Sequence, residues 1–289
     1  MTTGPYGPLL DAVRGIRWPA ARRVGGATLG AHPSKLRGNS SEFSEFRPYR
    51  QGDDPRRVDW RLLARSDRAY VRLTTDRATL RTAIVVDASA SMGFPGGAND
   101  KWARAREVAV GLAAVAHAEG DPVGMSVTGS RGALLAPRAR RSVIIEMIRA
   151  LDATSPEGGA PLAPLLTAAR AARVVVLTDL LGDADALLAS ARLRLATGGE
   201  VLVVHFVAPE ELDPPAGAEL AVDPEAPTVR RMLTGDARGA YQHAFAAWLE
   251  RTASEFRASG VRYERAETSE PAARLVRRIA GGTQRASGG

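Results

Sequence analysis

The 289-residue chain has no cysteine. Disulfides, thiolate zinc sites and thiol nucleophiles are therefore excluded. Aromatic residues make up only 5%. Lysine is almost missing too: Lys35 and Lys101 stand alone among 39 basic residues, and the rest are arginine. The longest apolar stretch, 108–118, falls well short of the ~20 residues that a membrane helix needs. The amino terminus, Met1-Thr2-Thr3-Gly4-Pro5, runs into Asp11, Arg14 and Arg17 and does not read as a secretory signal. A soluble cytoplasmic protein is the expectation. Common catalytic signatures are missing as well: there is no Gly-x-Ser-x-Gly elbow, no phosphate loop and no His-Glu-x-x-His. The four histidines, His32, His117, His205 and His243, are scattered, which suits packing or surface roles better than catalysis.

What is present suits a folded α/β protein. Hydrophobic residues reach 45% and charged residues 25%, enough to bury a real core. Residues 1–75 hold 14 Lys+Arg against 7 Asp+Glu, a net of +7, and the remainder is neutral. The excess charge is thus confined to the first quarter. There the arginines alternate with Asp53, Asp54 and Asp59, a pattern that favours internal pairing over nucleic-acid binding. Beyond residue 80, short apolar runs alternate with helical patterns. Strands are expected at 82–86, 123–128, 174–177, 201–207 and 261–265. Helices are expected at 101–119, 142–151, 161–172, 185–196, 237–259 and 271–279, with a short hairpin at 218–232. Such alternation predicts a Rossmann-like, doubly wound, mostly parallel sheet with helices on both faces. The organisation that follows is a flexible basic arm over 1–40 and an Arg/Asp/aromatic module over 41–78 packing on the core. An α/β domain over 79–280 and a disordered tail over 281–289 complete it.

The chemistry concentrates where the first buried strand should end. Asp87-Ala88-Ser89-Ala90-Ser91 follows the run Ala83-Ile84-Val85-Val86 directly. In an open α/β sheet that point is the mouth of a crevice, where ligands bind. One carboxylate and two hydroxyls are hard oxygen donors of the kind Mg2+ or Ca2+ takes. Asp179, at the end of a later strand, points to the same edge. Each aspartate alone would be read as a loop or helix cap. Asp87, Ser89, Ser91 and Asp179 together read as a metal site.

This arrangement resembles the metal-ion-dependent adhesion site of von Willebrand factor A-like domains. In that family an Asp-x-Ser-x-Ser loop, a threonine from a second loop and an aspartate from a third hold one divalent ion. An acidic side chain of a partner protein often completes the shell. The threonine belongs in a Gly-Gly-Thr-x-Leu context. Here the matching segment is Gly158-Gly159-Ala160-Pro161-Leu162, and Ala160 offers no oxygen; Thr154 and Ser155 are the substitutes nearby.

A second resemblance covers most of the chain. Glu45-Phe46-x-x-Tyr49-x-x-Gly52-Asp53-Asp54-x-Arg56-x-x-Asp59-Trp60-x-x-x-Ala64-Arg65 resembles the signature of bacterial domain-of-unknown-function family fifty-eight. Asp223-Pro224-Glu225 and the helix containing Tyr241 are similar to its later part. Members resemble von Willebrand A-like domains preceded by this module and are typically encoded beside a MoxR-type AAA+ ATPase. Read from its residues, the signature is a brace. Arg47, Arg56 and Arg65 would pair with Asp53, Asp54 and Asp59, while Tyr49 and Trp60 would be apolar anchors. The same arginines could instead face an acidic partner.

The resemblance implies a non-enzymatic interaction module with Mg2+ as cofactor and a MoxR-type AAA+ ATPase as partner. Two other classes stay open: a metal-dependent phosphoesterase or nuclease, and nucleic-acid binding through the basic arm.

Overall fold

The computed structural model describes residues 4–20, 29–33, 43–51, 53, 55, 58–66, 68–74, 77–97, 100–129, 132–159, 161–215, 220–223, 225, 228–232 and 235–281. They form two compact units, Met1–Trp18 with Arg81–Gly289, and Pro19–Leu80.

The larger unit begins with a short helix, α1 (Gly7–Ala12), that carries proline in its first turn. Of the arm expected over 1–40, residues 4–18 belong to this unit. Tyr6, Val13 and Trp18 lie in its apolar core. The Trp18 ring stacks under the Arg173 guanidinium, 4.3 Å from carbon to centroid, and its backbone N–H donates to Glu119 Oε1 at 3.1 Å. Buried aromatic rings remove so much apolar surface from water that they outweigh the polar composition around them. Arm residues 21–28 and 34–42, and residues 282–289 of the expected disordered tail, lie outside the described residues.

The smaller unit contains β1 (Leu29–Pro33), β2 (Phe43–Pro48), α2 (Trp60–Ser66), β3 (Tyr70–Thr74) and β4 (Arg77–Ala78). β1 pairs with β4, and β2 with β3, both antiparallel.

The chain then returns to the larger unit through β5 (Thr82–Val86), α3 (Lys101–Ala118), β6 (Val123–Val127) and β7 (Leu134–Arg138). Next come α4 (Val143–Asp152), α5 (Ala163–Ala168), β8 (Arg173–Thr178), α6 (Ala184–Ala196) and β9 (Glu200–Val207). The last elements are α7 (Pro209–Leu212), β10 (Leu220–Val222), β11 (Arg230–Met232), α8 (Gly235–Ala258), β12 (Arg262–Glu267) and α9 (Ala272–Gly281). Six strands form one sheet in the order β12-β9-β8-β5-β6-β7, parallel except for β7. This is the doubly wound α/β architecture expected of a von Willebrand A-like domain.

Period-two alternation sorts the strand residues to two cores. Ile84, Val86, Val175, Leu177, Val204 and Phe206 face one layer, which includes residues of α3, α4 and α9. Ala83, Val85, Val174, Val176, Val201 and Val203 face the other, with α6 and part of α8. Both faces are covered, so the strands read as continuous apolar runs. The connection reverses direction at β5, which lies between β6 and β8. The C-terminal ends of β5 and β8 therefore flank the switch point, where such sheets open a crevice.

Two helices differ from expectation. α5 is shorter than the 161–172 read from sequence. α8 has the expected length, but its apolar stripe is buried only at Leu249, Thr252, Ala253 and Phe256. Its 24 residues run ~36 Å. Neighbouring β12, with six, runs only ~20 Å. The buried positions all lie in the second half of α8, while Tyr241 stacks on Phe245 and Phe245 on Trp248.

Candidate functional site

β5 delivers Asp87 to the crevice because the strand's last ladder position is Val86 and the chain then turns. The Asp87 N–H still bonds Leu177 C=O at 2.9 Å, which ties the first loop to β8. Its carboxylate is 4% exposed. Oδ2 accepts the Thr178 hydroxyl at 2.7 Å and Oδ1 the Ser89 N–H at 2.9 Å, with the Thr128 hydroxyl at 3.5 Å. These are neutral donors, and among the described residues no cation pairs with this carboxylate. Burial pushes the Asp87 carboxyl above the usual carboxylate range; the Thr178 bond opposes this and the nearby Asp179 charge adds to it. Ser89 and Ser91 are buried, with their hydroxyl oxygens 3.1 Å apart. The expected trio of Asp87, Ser89 and Ser91 therefore converges.

The second loop lies beside the first, as its matching segment implied. Ala90 N–H donates to Gly158 C=O at 2.7 Å, and Glu157 N–H to Ala88 C=O at 2.9 Å. Ala160 lies outside the described residues. The Thr154 hydroxyl donates to Ala150 C=O at 2.8 Å. Thr128 and Thr178 supply the hydroxyls around Asp87 instead. Both were visible as strand ends, but nothing in their spacing aimed them at Asp87.

Asp179 behaves differently. Its Oδ2 lies 2.6 Å from Lys101 Nζ, and its Oδ1 accepts the Leu181 N–H at 3.2 Å. Lys101 is fully buried and also meets Glu211 Oε1 at 2.7 Å. Glu211 Oε2 takes the Ala208 N–H at 2.7 Å, and burial raises its carboxyl above the usual range. Asp179 was expected as a fourth metal ligand; in the structure both of its oxygens meet donors of the protein itself. The next residue, Leu180, has a positive φ of 56°, which a non-glycine residue holds only under local strain. His205, on adjacent β9, bonds the Tyr263 hydroxyl at 2.6 Å. Burial lowers its pKa to about 4.

Sequence reasoning missed Lys101, Glu211 and Glu225. Lys101 carried one signal, as one of two lysines in a chain that otherwise uses arginine. Glu225, on the β10–β11 turn, accepts the Ser91 hydroxyl at 3.3 Å. A cleft of about 260 Å³ opens at this edge, lined by Asp87, Ser89, Gly159, Thr178, Asp183 and Glu225 among others.

Does this set suit a divalent cation? Among the described residues, no three acidic or imidazole groups are close enough to hold one between them. Any ion must therefore use hydroxyls. The buried Asp87 carboxylate without a cation, beside two converging hydroxyls, fits a hard cation. Asp179 does not fit as a direct ligand while Lys101 holds it.

In the smaller unit, the signature residues brace their own turns. Arg47 Nη2 donates to both Asp53 oxygens, at 2.7 and 2.9 Å. That bond, with the Arg50 N–H, holds the Asp53 carboxyl below its usual range. Asp59 Oδ1 accepts the N–H groups of Arg61 and Leu62, capping α2. Arg65 lies in the last turn of that helix. Trp60 is no anchor: it opens α2 with 63% of its surface exposed, and Tyr49 is 37% exposed. Asp54 and Arg56 lie outside the described residues.

A family model described as protein of unknown function DUF58 matches residues 45–251. Uncharacterized proteins of Mycobacterium tuberculosis and Mycobacterium bovis are 28% identical in a match that covers 87% of this chain and 82% of theirs. Among solved structures, a conserved hypothetical protein BatB from Bacteroides thetaiotaomicron is similar at 19% identity and a TM-score of 0.46. The match covers 71% of this chain and 99% of that one. The SpRpn10 VWA domain is similar at 9% identity and a TM-score of 0.39, covering 69% and 94%.

Proposed function

This chain belongs to the family of proteins of unknown function DUF58, and on that premise we propose that it is a non-enzymatic protein-interaction module. The von Willebrand A-like fold supports an interaction role. Its recognition point is the Asp87-Ser89-Ser91 edge, and its ligand is an acidic side chain of a partner. The observation that carries this reading is the buried Asp87 carboxylate, which has hydroxyl and amide donors and, among the described residues, no cation. Asp87, Ser89 and Ser91 would hold a Mg2+ ion, which supplies positive charge for the partner's carboxylate. The protein's own part is to place these oxygens at the crevice mouth and to keep Asp179 neutralised by Lys101 behind them. The partner is a MoxR-type AAA+ ATPase in the cytoplasm, where the pair assembles or matures target proteins. Among the described residues, no helix is long and apolar enough to cross a membrane.

Retention of that ATPase on the immobilised full chain tests the proposal. Loss of retention on chelation, and equally in Asp87→Ala, is expected. Retention indifferent to both removes the metal-bridged mechanism.

A further inference from the structure

We propose that Glu225 is a resident ligand of this site. The β10–β11 hairpin holds its carboxylate where an incoming acidic side chain would bind, and recognition requires the hairpin to swing off. This rests on the carboxylate-recognition reading above.

Glu225 is positioned by its own turn. Asp223 Oδ1 accepts the Glu225 N–H at 2.9 Å, an Asx turn, and the Asp223 N–H bonds Val229 C=O at 3.1 Å. From there one carboxylate oxygen takes the Ser91 hydroxyl at 3.3 Å. The other lies 3.2 Å from where a Cβ on Gly159 would stand, so a larger residue at that position would crowd it out. The carboxylate thus lines the same cleft as Asp87 and Ser89.

Two features make this a displaceable contact rather than a fixed one. First, the hairpin is not part of the core. Its described side chains whose burial is resolved are all exposed, and Leu220, Val222, Val229 and Met232 remain 44–69% exposed. Two strands of three residues are marginal by themselves, and little buried apolar surface holds them down. Second, Glu225 is placed toward like charge. Its carboxylate shares the cleft with Asp87. Glu211, by contrast, is held by the buried Lys101. Glu225 has a serine hydroxyl that Asp87's neighbourhood also needs.

Hydrogen exchange on the intact chain tests the cap. Glu225→Ala and Ser91→Ala should each speed exchange of the 220–232 amides by about two- to tenfold, the equilibrium equivalent of one hydrogen bond. The double variant should be no faster than either. Exchange that stays unchanged in both overturns the proposal. A titration with acetyl-Gly-Glu-Gly-amide in the presence of Mg2+, followed by the amide resonances of Ser89 and Ser91, separates it from the reading beneath. The peptide should bind Glu225→Ala more tightly than wild type by the same factor. Equal binding to both overturns the cap while recognition stands. Binding to neither, with faster exchange as expected, keeps the cap and defeats carboxylate recognition.

Discussion

Two aspartates end neighbouring strands of one sheet, and the protein treats them oppositely. Asp179 is buried against a fully buried lysine, which also neutralises Glu211. Asp87 is about as buried but, among the described residues, receives only hydroxyls and an amide. Burying a carboxylate is costly unless a cation or several donors compensate. At Asp179 the compensation is internal and permanent. At Asp87 it comes from neutral donors, and the recognition point proposed above draws on that remaining electrostatic demand. One half of the site is compensated within the chain; the other, on the proposed reading, is satisfied from outside.

Breaking the compensated half should have the largest effect. Lys101→Met leaves Asp179 and Glu211 buried without their cation and should cost about 3–5 kcal/mol of stability in denaturant unfolding. A loss under 1 kcal/mol would mean that the ion pairs are weak. Acid attacks the same region through His205. Its folded pKa of about 4 lies below the ordinary 6.5. The unfolded chain therefore takes up a proton first as pH falls. The stability from this group is complete above about pH 6.5 and declines between 6.5 and 4, by roughly 3 kcal/mol in all. His205→Gln should flatten that part of the stability–pH curve. The uncompensated half should respond with the opposite sign. Asp87's raised pKa means that ionisation at neutral pH costs stability, with the full contribution present only in acid. Asp87→Asn should therefore stabilise the chain at pH 7 without divalent ions, by about 0.5–2 kcal/mol, as removal of a functional strain often does. Destabilisation there would show that the Thr178 and Ser89 bonds already compensate the charge.

The sequence revealed one half of this contrast better than the other. Asp87, Ser89 and Ser91 are close in the chain, and the buried run before them marks a strand end, so their convergence was readable. Asp179 was readable by the same rule. Its partner was not, because Lys101 is 78 residues away and looked like the first residue of an ordinary amphipathic helix. Only its being lysine rather than arginine set it apart. Glu225 was hidden similarly, since a turn signal fixes the local bend and not the surface it lands on. Trp18 defeated the flexible-arm expectation because composition averages over a segment while one buried ring anchors it. Trp60 failed in the other direction: an aromatic within a charged motif looked like an anchor, yet the helix capped by Asp59 starts with it facing water.

The contrast is tested most directly by a Mg2+ titration of thermal unfolding in the wild-type chain and Asp87→Asn. An Asp87-centred cation site predicts a midpoint that climbs with ion concentration in the wild type, following the logarithm of occupancy, and stays flat in Asp87→Asn. A wild-type midpoint indifferent to Mg2+, or one that climbs equally in both proteins, would contradict it.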